Sequence, residues 1–141
     1  MYNYKATLIK VVDGDTIDAD IDLGFKVHMK ARVRLMGIDT PESRTRNLKE
    51  KTWGLAAKKR VQELLVDGKF ILNTELQKKG KFGRILGNVI IPDDFTWEGL
   101  NLNEILMEEK LAIPYDGSNK DEAREKHGVT ELWNTEYKEP E

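Results

Sequence analysis

The clearest signal in the chain is alternation. From Asp15 to Ile21, polar and apolar residues take turns, the period of a half-buried strand with Ile17, Ala19 and Ile21 inward. Before this stretch, Tyr4 to Val12 reads as a strand ended by the Asp13-Gly14 turn pair. After it, Asp22-Leu23-Gly24 turns into a third strand, Lys26 to Met36, which alternates again. Three strands on short turns predict a meander. The period then lengthens. Trp53, Ala57, Val61, Leu64 and Leu65 recur at helical spacing over Glu50 to Val66, with Lys58, Lys59 and Arg60 outside and Asp67-Gly68 as the stop.

Phe70 to Thr74 reads as a fourth strand. A basic, glycine-hinged loop, Lys78 to Arg84, leads into a fifth, Ile85 to Ile91. Asn101 to Lys110 predicts a second helix. Asn101 is its N-cap, Glu104 stands at the capping-box position, and Leu102, Ile105 and Leu106 face inward. Ser118 to His127 predicts a short third helix stopped by Gly128. From there the chain reads as an acidic tail, 129–141, with Trp133 as its one strong anchor after a core ending near residue 128. The order βββαββαα predicts one α+β, mainly β domain: a five-stranded Greek-key OB-fold barrel with three helices, a common nucleic-acid platform. Trp53, Trp97 and Trp133 read as packing residues, His28 as a surface residue of the third strand, and His127 as a residue suited to a helix C-terminus.

Composition narrows the chemistry. The 141 residues include no cysteine and only two histidines, which excludes disulfides, thiolate metal sites and a cysteine nucleophile and argues against a histidine-rich transition-metal site. A metal here should be a hard ion held by oxygen. No stretch has the length and apolarity of a membrane span, and Met1 is followed by no apolar leader. As written, the chain reads as a cytoplasmic monomer, and as a secreted one if a leader was removed. The net charge of −2 conceals an asymmetry: residues 1–92 carry 18 Lys and Arg against 11 Asp and Glu, residues 93–141 carry 5 against 14. The first part is the expected polyanion face.

Four pieces carry chemistry. They are Asp13-Gly14-Asp15-Thr16, Arg34, Asp39-Thr40-Pro41-Glu42, and Lys81-Phe82-Gly83-Arg84. Gly37 and Pro41 should end strand pairing near Asp39, bringing Arg34, Asp39 and Glu42 together at a strand exit. One guanidinium beside two carboxylates suits a phosphate anchor next to a hard-metal ligand and a base; it also suits an exposed surface ion pair at a turn.

Taken in order, Val12-Asp13-Gly14-Asp15-Thr16, Arg34-Leu35 with Ile38-Asp39-Thr40-Pro41-Glu42, and Lys81-Phe82-Gly83-Arg84 resemble the staphylococcal nuclease (thermonuclease) family. The likeness runs from about Lys5 to Ile113. It implies an OB-fold and a Ca²⁺-dependent nuclease that cleaves DNA and RNA and leaves 3′-phosphates. It further implies Asp15 and Asp39 as Ca²⁺ carboxylates and Thr40 as a carbonyl ligand. Glu42 would act on the attacking water, Arg34 and Arg84 on the phosphate and transition state, Asp13 as an acid behind the metal ligands, and Lys81 on the neighbouring phosphate. Phe82, where the family usually has tyrosine, keeps a stacking ring and loses a hydroxyl. Tyr115 is what remains of a second tyrosine pair. The alternative is an OB-fold module that grips nucleic acid or protein without cutting.

Overall fold

The computed structural model describes residues 2–79, 85–92 and 99–140. Three long strands open the chain: β1 (Tyr2–Asp13), β2 (Thr16–Gly24) and β3 (Val27–Leu35). β1 and β2 pair antiparallel down to Asp13 opposite Thr16, so Gly14-Asp15 forms a two-residue turn. β2 and β3 pair down to Gly24 opposite Val27. The tip between them, Phe25-Lys26, has φ of 54° and 65°, the left-handed conformation that a tight hairpin demands at both positions and that Asn-Gly usually occupies. Alternation works as expected on β2: Ile17, Ala19 and Ile21 are buried, while Asp18 and Asp20 stay on the outer face. On β3 only the second half is covered, with Val33 and Leu35 buried and Val27 and Met29 exposed. The hairpin therefore projects beyond the core, and Phe25 at its tip is 100% exposed.

A short strand, β4 (Ile38–Asp39), precedes helix α1 (Leu48–Leu64). Asn47 caps α1, its side chain accepting from the N–H of Lys49 and Glu50. Trp53, Ala57, Val61 and Leu65 are buried, as the helical spacing predicts, and Gly68 takes positive φ beyond the end. β5 (Lys69–Lys79) and β6 (Ile85–Ile91) follow. β5 pairs with β1 and β6, and β6 pairs parallel with β3 through Val33–Ile85, Arg34–Leu86 and Leu35–Gly87. That parallel contact closes β1, β2, β3, β5 and β6 into a ring. The fold is the expected α+β, mainly β, five-stranded OB-type barrel with three helices.

Two-residue strands β7 (Leu100–Asn101) and β8 (Ile113–Pro114) flank α2 (Leu102–Glu108). Asn101 is the α2 N-cap, as predicted. Its inner face differs in one position. Asn103 is 2% exposed, whereas Ile105 is half-buried, because the Asn103 amide donates to the Met36 carbonyl (2.8 Å) and pins α2 to the exit of β3. Helix α3 (Lys120–Lys126) has Asn119 as its N-cap, one residue after Ser118, and His127 is its C-cap. Residues 129–140 pack further than an acidic tail with one anchor. Val129 and Trp133 are buried, Trp53 Nε1 donates to the Thr135 carbonyl (2.7 Å), and Tyr137 lies edge-on to Trp53. Trp97 lies outside the described residues.

Candidate active site

Arg34 stands on β3 opposite Thr16. Its guanidinium is 3.3 Å from Asp15 Oδ2 and donates to the carbonyls of Leu35 (3.1 Å) and Ile38 (3.0 Å). Asp15 Oδ1 accepts from the Thr16 hydroxyl (3.0 Å). The side chain thus ties its own strand exit to the turn between β1 and β2. That turn lies against Thr40 and α1: a Cβ on Gly14 would come within 3.3 Å of Thr40 Oγ1 and 2.7 Å of Ala57 Cβ. Asp13 accepts a hydrogen bond from Ser43 Oγ. The first three sequence pieces meet at one corner of the barrel.

The strand exit itself is held by little ladder. β4 pairs with β8 over only two residues, Ile38–Pro114 and Asp39–Ile113, which buries Asp39 and Thr40 completely or nearly so (0% and 2% exposed). A buried carboxylate needs compensation, and α3 supplies it. Arg124 donates from Nε to Asp39 Oδ2 (2.9 Å), from one terminal nitrogen to Glu50 Oε2 (3.0 Å) and from the other to the Thr40 carbonyl (3.2 Å). Its guanidinium carbon lies 5.0 Å from the centre of a Trp133 ring. Burial alone would lower the pKa of Arg124, but the Asp39 and Glu50 carboxylates outweigh it and the pKa is raised, so the group is a permanent cation. Lys120, one helical turn earlier, brings Nζ to 3.7 Å from Asp39 Oδ1 and 3.5 Å from Glu42 Oε1.

Glu42 is 49% exposed at its side chain, so it faces solvent while its backbone is fixed. Its N–H donates to Glu50 Oε2 (2.8 Å). On the other side Gly54 of α1 lies so close that a Cβ there would run into the Glu42 carbonyl. Glycine in the middle of a helix costs about 1 kcal/mol; here it lets the helix backbone touch the loop that carries Glu42.

Asp39 Oδ1 is the buried side-chain oxygen that lacks a hydrogen-bond partner among the described residues. Like Asp15 and the Thr40 carbonyl at the same corner, it is a hard oxygen donor of the type Ca²⁺ takes. No three acidic or histidine side chains converge on one point among the described residues, so an ion held here would complete its shell with water. Tyr115 is half-buried, its N–H donating to the Gly37 carbonyl (2.9 Å). It lines a cleft of about 440 Å³ with Gly37, Pro114 and Asn119. Lys81, Phe82 and Arg84 lie outside the described residues; Ile85, which follows them, pairs with Val33 beside Arg34.

Arg124, Lys120, Glu50, Ser43 and Gly54 are neighbours of the site that sequence reasoning does not single out. The one available trace of the first two is their spacing. Lys120 and Arg124 are four apart and so share a helix face.

The family model described as "Staphylococcal nuclease homologue" matches residues 32–136. The chain is 35% identical over 85 residues to a thermonuclease of Staphylococcus intermedius, covering 60% of this chain and 48% of that protein. It is 31% identical over 138 residues to the SPbeta prophage-derived endonuclease YokF of Bacillus subtilis, covering 90% of this chain and 43% of that one. Endonuclease YncB of the same organism is 32% identical over 109 residues, 77% of this chain and 46% of its own. The chain spans about half the length of these curated relatives. With the barrel, the corner geometry and a family match over most of its length, this chain belongs to the staphylococcal nuclease homologue family.

Proposed function

We propose that this chain is a Ca²⁺-dependent nuclease that hydrolyses phosphodiester bonds of DNA and RNA, single-stranded or locally opened, and leaves 3′-phosphates. The observation that carries the reading is the meeting of Asp15, Arg34, Asp39, Thr40 and Glu42 at one corner, in a chain of a nuclease family. Arg34 uses part of its five-donor fork on Asp15 and two carbonyls, which fixes its plane and leaves N–H groups for the non-bridging oxygens of a phosphate. Glu42, half exposed on a fixed backbone, orients a water and takes its proton as the oxygen attacks phosphorus. The bond from phosphorus to the 5′-oxygen breaks, that oxygen leaves as a 5′-hydroxyl with a proton from solvent, and the phosphate stays on the 3′-oxygen. Asp15, Asp39 and the Thr40 carbonyl would hold Ca²⁺, which when bound relieves charge on the phosphate. Arg84 adds a second cation for the transition state, and Lys81, Phe82 and Tyr115 contact the flanking nucleotides, Phe82 by stacking.

The test is incubation with single-stranded DNA in millimolar Ca²⁺ and in excess chelator, followed by analysis of product ends. Cleavage that needs Ca²⁺ and yields 3′-phosphates is expected. Binding without cleavage would replace the reading with a non-catalytic OB-fold module.

A further inference from the structure

We infer that Arg124 is the positioning residue of this site: it sets the orientation of the two cation donors Asp39 and Thr40 and, through Glu50, the backbone of Glu42. The inference rests on the nuclease reading above and deepens it.

The loop from Asp39 to Ser43 has almost no sheet ladder to define it, so side chains must. Three of those side-chain ties converge. Arg124 grips Asp39 Oδ2 and the Thr40 carbonyl with two edges of one planar group, which fixes the carboxylate's rotation and leaves Oδ1 as the oxygen without a hydrogen bond. Its third edge goes to Glu50 Oε2, and that same oxygen accepts from the Glu42 N–H. Arg124 is in turn held over Trp133, whose indole N–H donates to the Lys110 carbonyl (3.0 Å). A lysine could balance the charge, but it has no planar fork with which to hold three acceptors in fixed directions. Lys120 shows the contrast: it is 47% exposed and stands 3.5 and 3.7 Å from its acids, a flexible counter-ion beside a fixed one.

The two roles predict opposite signs. If Arg124 only neutralised the acids, removing its charge would tighten Ca²⁺ binding, because a like charge near the ion is gone. If it positions the donors, removal weakens binding despite that relief, by about 10–100-fold, as loss of an orienting partner behind a metal ligand does.

The experiment is calorimetric titration of the full chain with Ca²⁺ alone, for wild type, Arg124→Met and Arg124→Lys, with kcat and KM on single-stranded DNA and a circular dichroism check of folding. A folded Arg124→Met is expected to bind Ca²⁺ about 10–100-fold more weakly, with kcat reduced and KM nearly unchanged, and Arg124→Lys to recover only part of the loss. Ca²⁺ affinity at or above wild type in folded Arg124→Met overturns the inference. If that variant does not fold, Arg124→Lys decides: wild-type affinity overturns, weaker affinity supports. Wild-type protein that neither binds Ca²⁺ nor cleaves would bring down the nuclease reading and this inference with it, whereas wild-type activity with indifferent variants would bring down this inference alone.

Discussion

Arg32 and Arg34 follow one another on the same face of β3, and each meets an aspartate. Arg32 pairs with Asp18 on the outer face of the hairpin, with side chains 48% and 20% exposed. Arg34 pairs with Asp15 at the corner, with 13% and 15%. Arg32 belongs to a cross-strand zipper that continues outward with His28 on Asp20, and such exposed pairs contribute little. Arg34 adds two backbone carbonyls to its carboxylate, in a place where α1, the β1–β2 turn and the strand exit shut out water. The residue types are the same. What differs is how many elements close over them, and that decides whether a charge pair decorates a strand or builds a site.

Removing the group proposed to act on the attacking water should have the largest effect. Glu42→Gln is expected to lower kcat by about 10²–10⁴-fold, as loss of a general base does, while the unfolding midpoint in urea stays at the wild-type value because the side chain is half exposed. Wild-type turnover would remove Glu42 from the mechanism. Next comes the buried pair. Arg34→Met leaves Asp15 without its cation in a mostly closed corner and should cost on the order of 3 kcal/mol in unfolding free energy. A double-mutant cycle with Asp15→Asn should return much of that loss, since the stranded charge is then gone. A cost as small as that of a surface pair would erase the contrast between the two arginines of β3.

Gly54→Ala probes the same corner from the helix side. A methyl group there meets the Glu42 carbonyl, a backbone atom that cannot rotate away, so the loop must move. A loss of about 1–3 kcal/mol is expected from overpacking, partly offset by the better helix propensity of alanine. Because the displaced loop carries Glu42, kcat should fall along with stability. A stabilised, fully active Gly54→Ala would show that the contact does not set the loop.

The contrast also marks what a sequence can disclose. The long strands were legible because one face is covered and one is wet, so Asp15 to Ile21 alternates and its register follows. The acids and Arg34 were legible because a turn and a strand exit keep them close in sequence. Arg124 was not: it reaches Asp39 across 85 residues, and within its own helix it is one of three basic residues interspersed with three acids. Gly54 resembles any helical glycine until the Glu42 loop lies against it. The packed 129–140 segment hid for a related reason. Its polar composition reads as tail, and Val129, Trp133 and Tyr137 gain meaning only once α1 supplies Trp53. Local periodicity reports which face is buried; it does not report who arrives to bury it.

The smallest effect belongs to the exposed pair, and pH isolates it. The hydrogen bond from Arg32 lowers the Asp18 pKa below its ordinary value of 3.8, against a weaker upward push from burial. A carboxylate whose folded pKa is depressed contributes stability above its unfolded pKa and loses it as pH falls through the folded one. Arg32→Ala should therefore lower stability only slightly at pH 7, where the contribution is fully present but the pair is exposed, and that small difference from wild type should vanish as pH falls below about 4. Arg34→Met measured across the same range should stay destabilised at neutral pH. If Arg32→Ala were as damaging at pH 7 as Arg34→Met, exposure would not be the variable that separates the pairs, and the closure of the corner by α1 and the strand exit would lose its explanatory place.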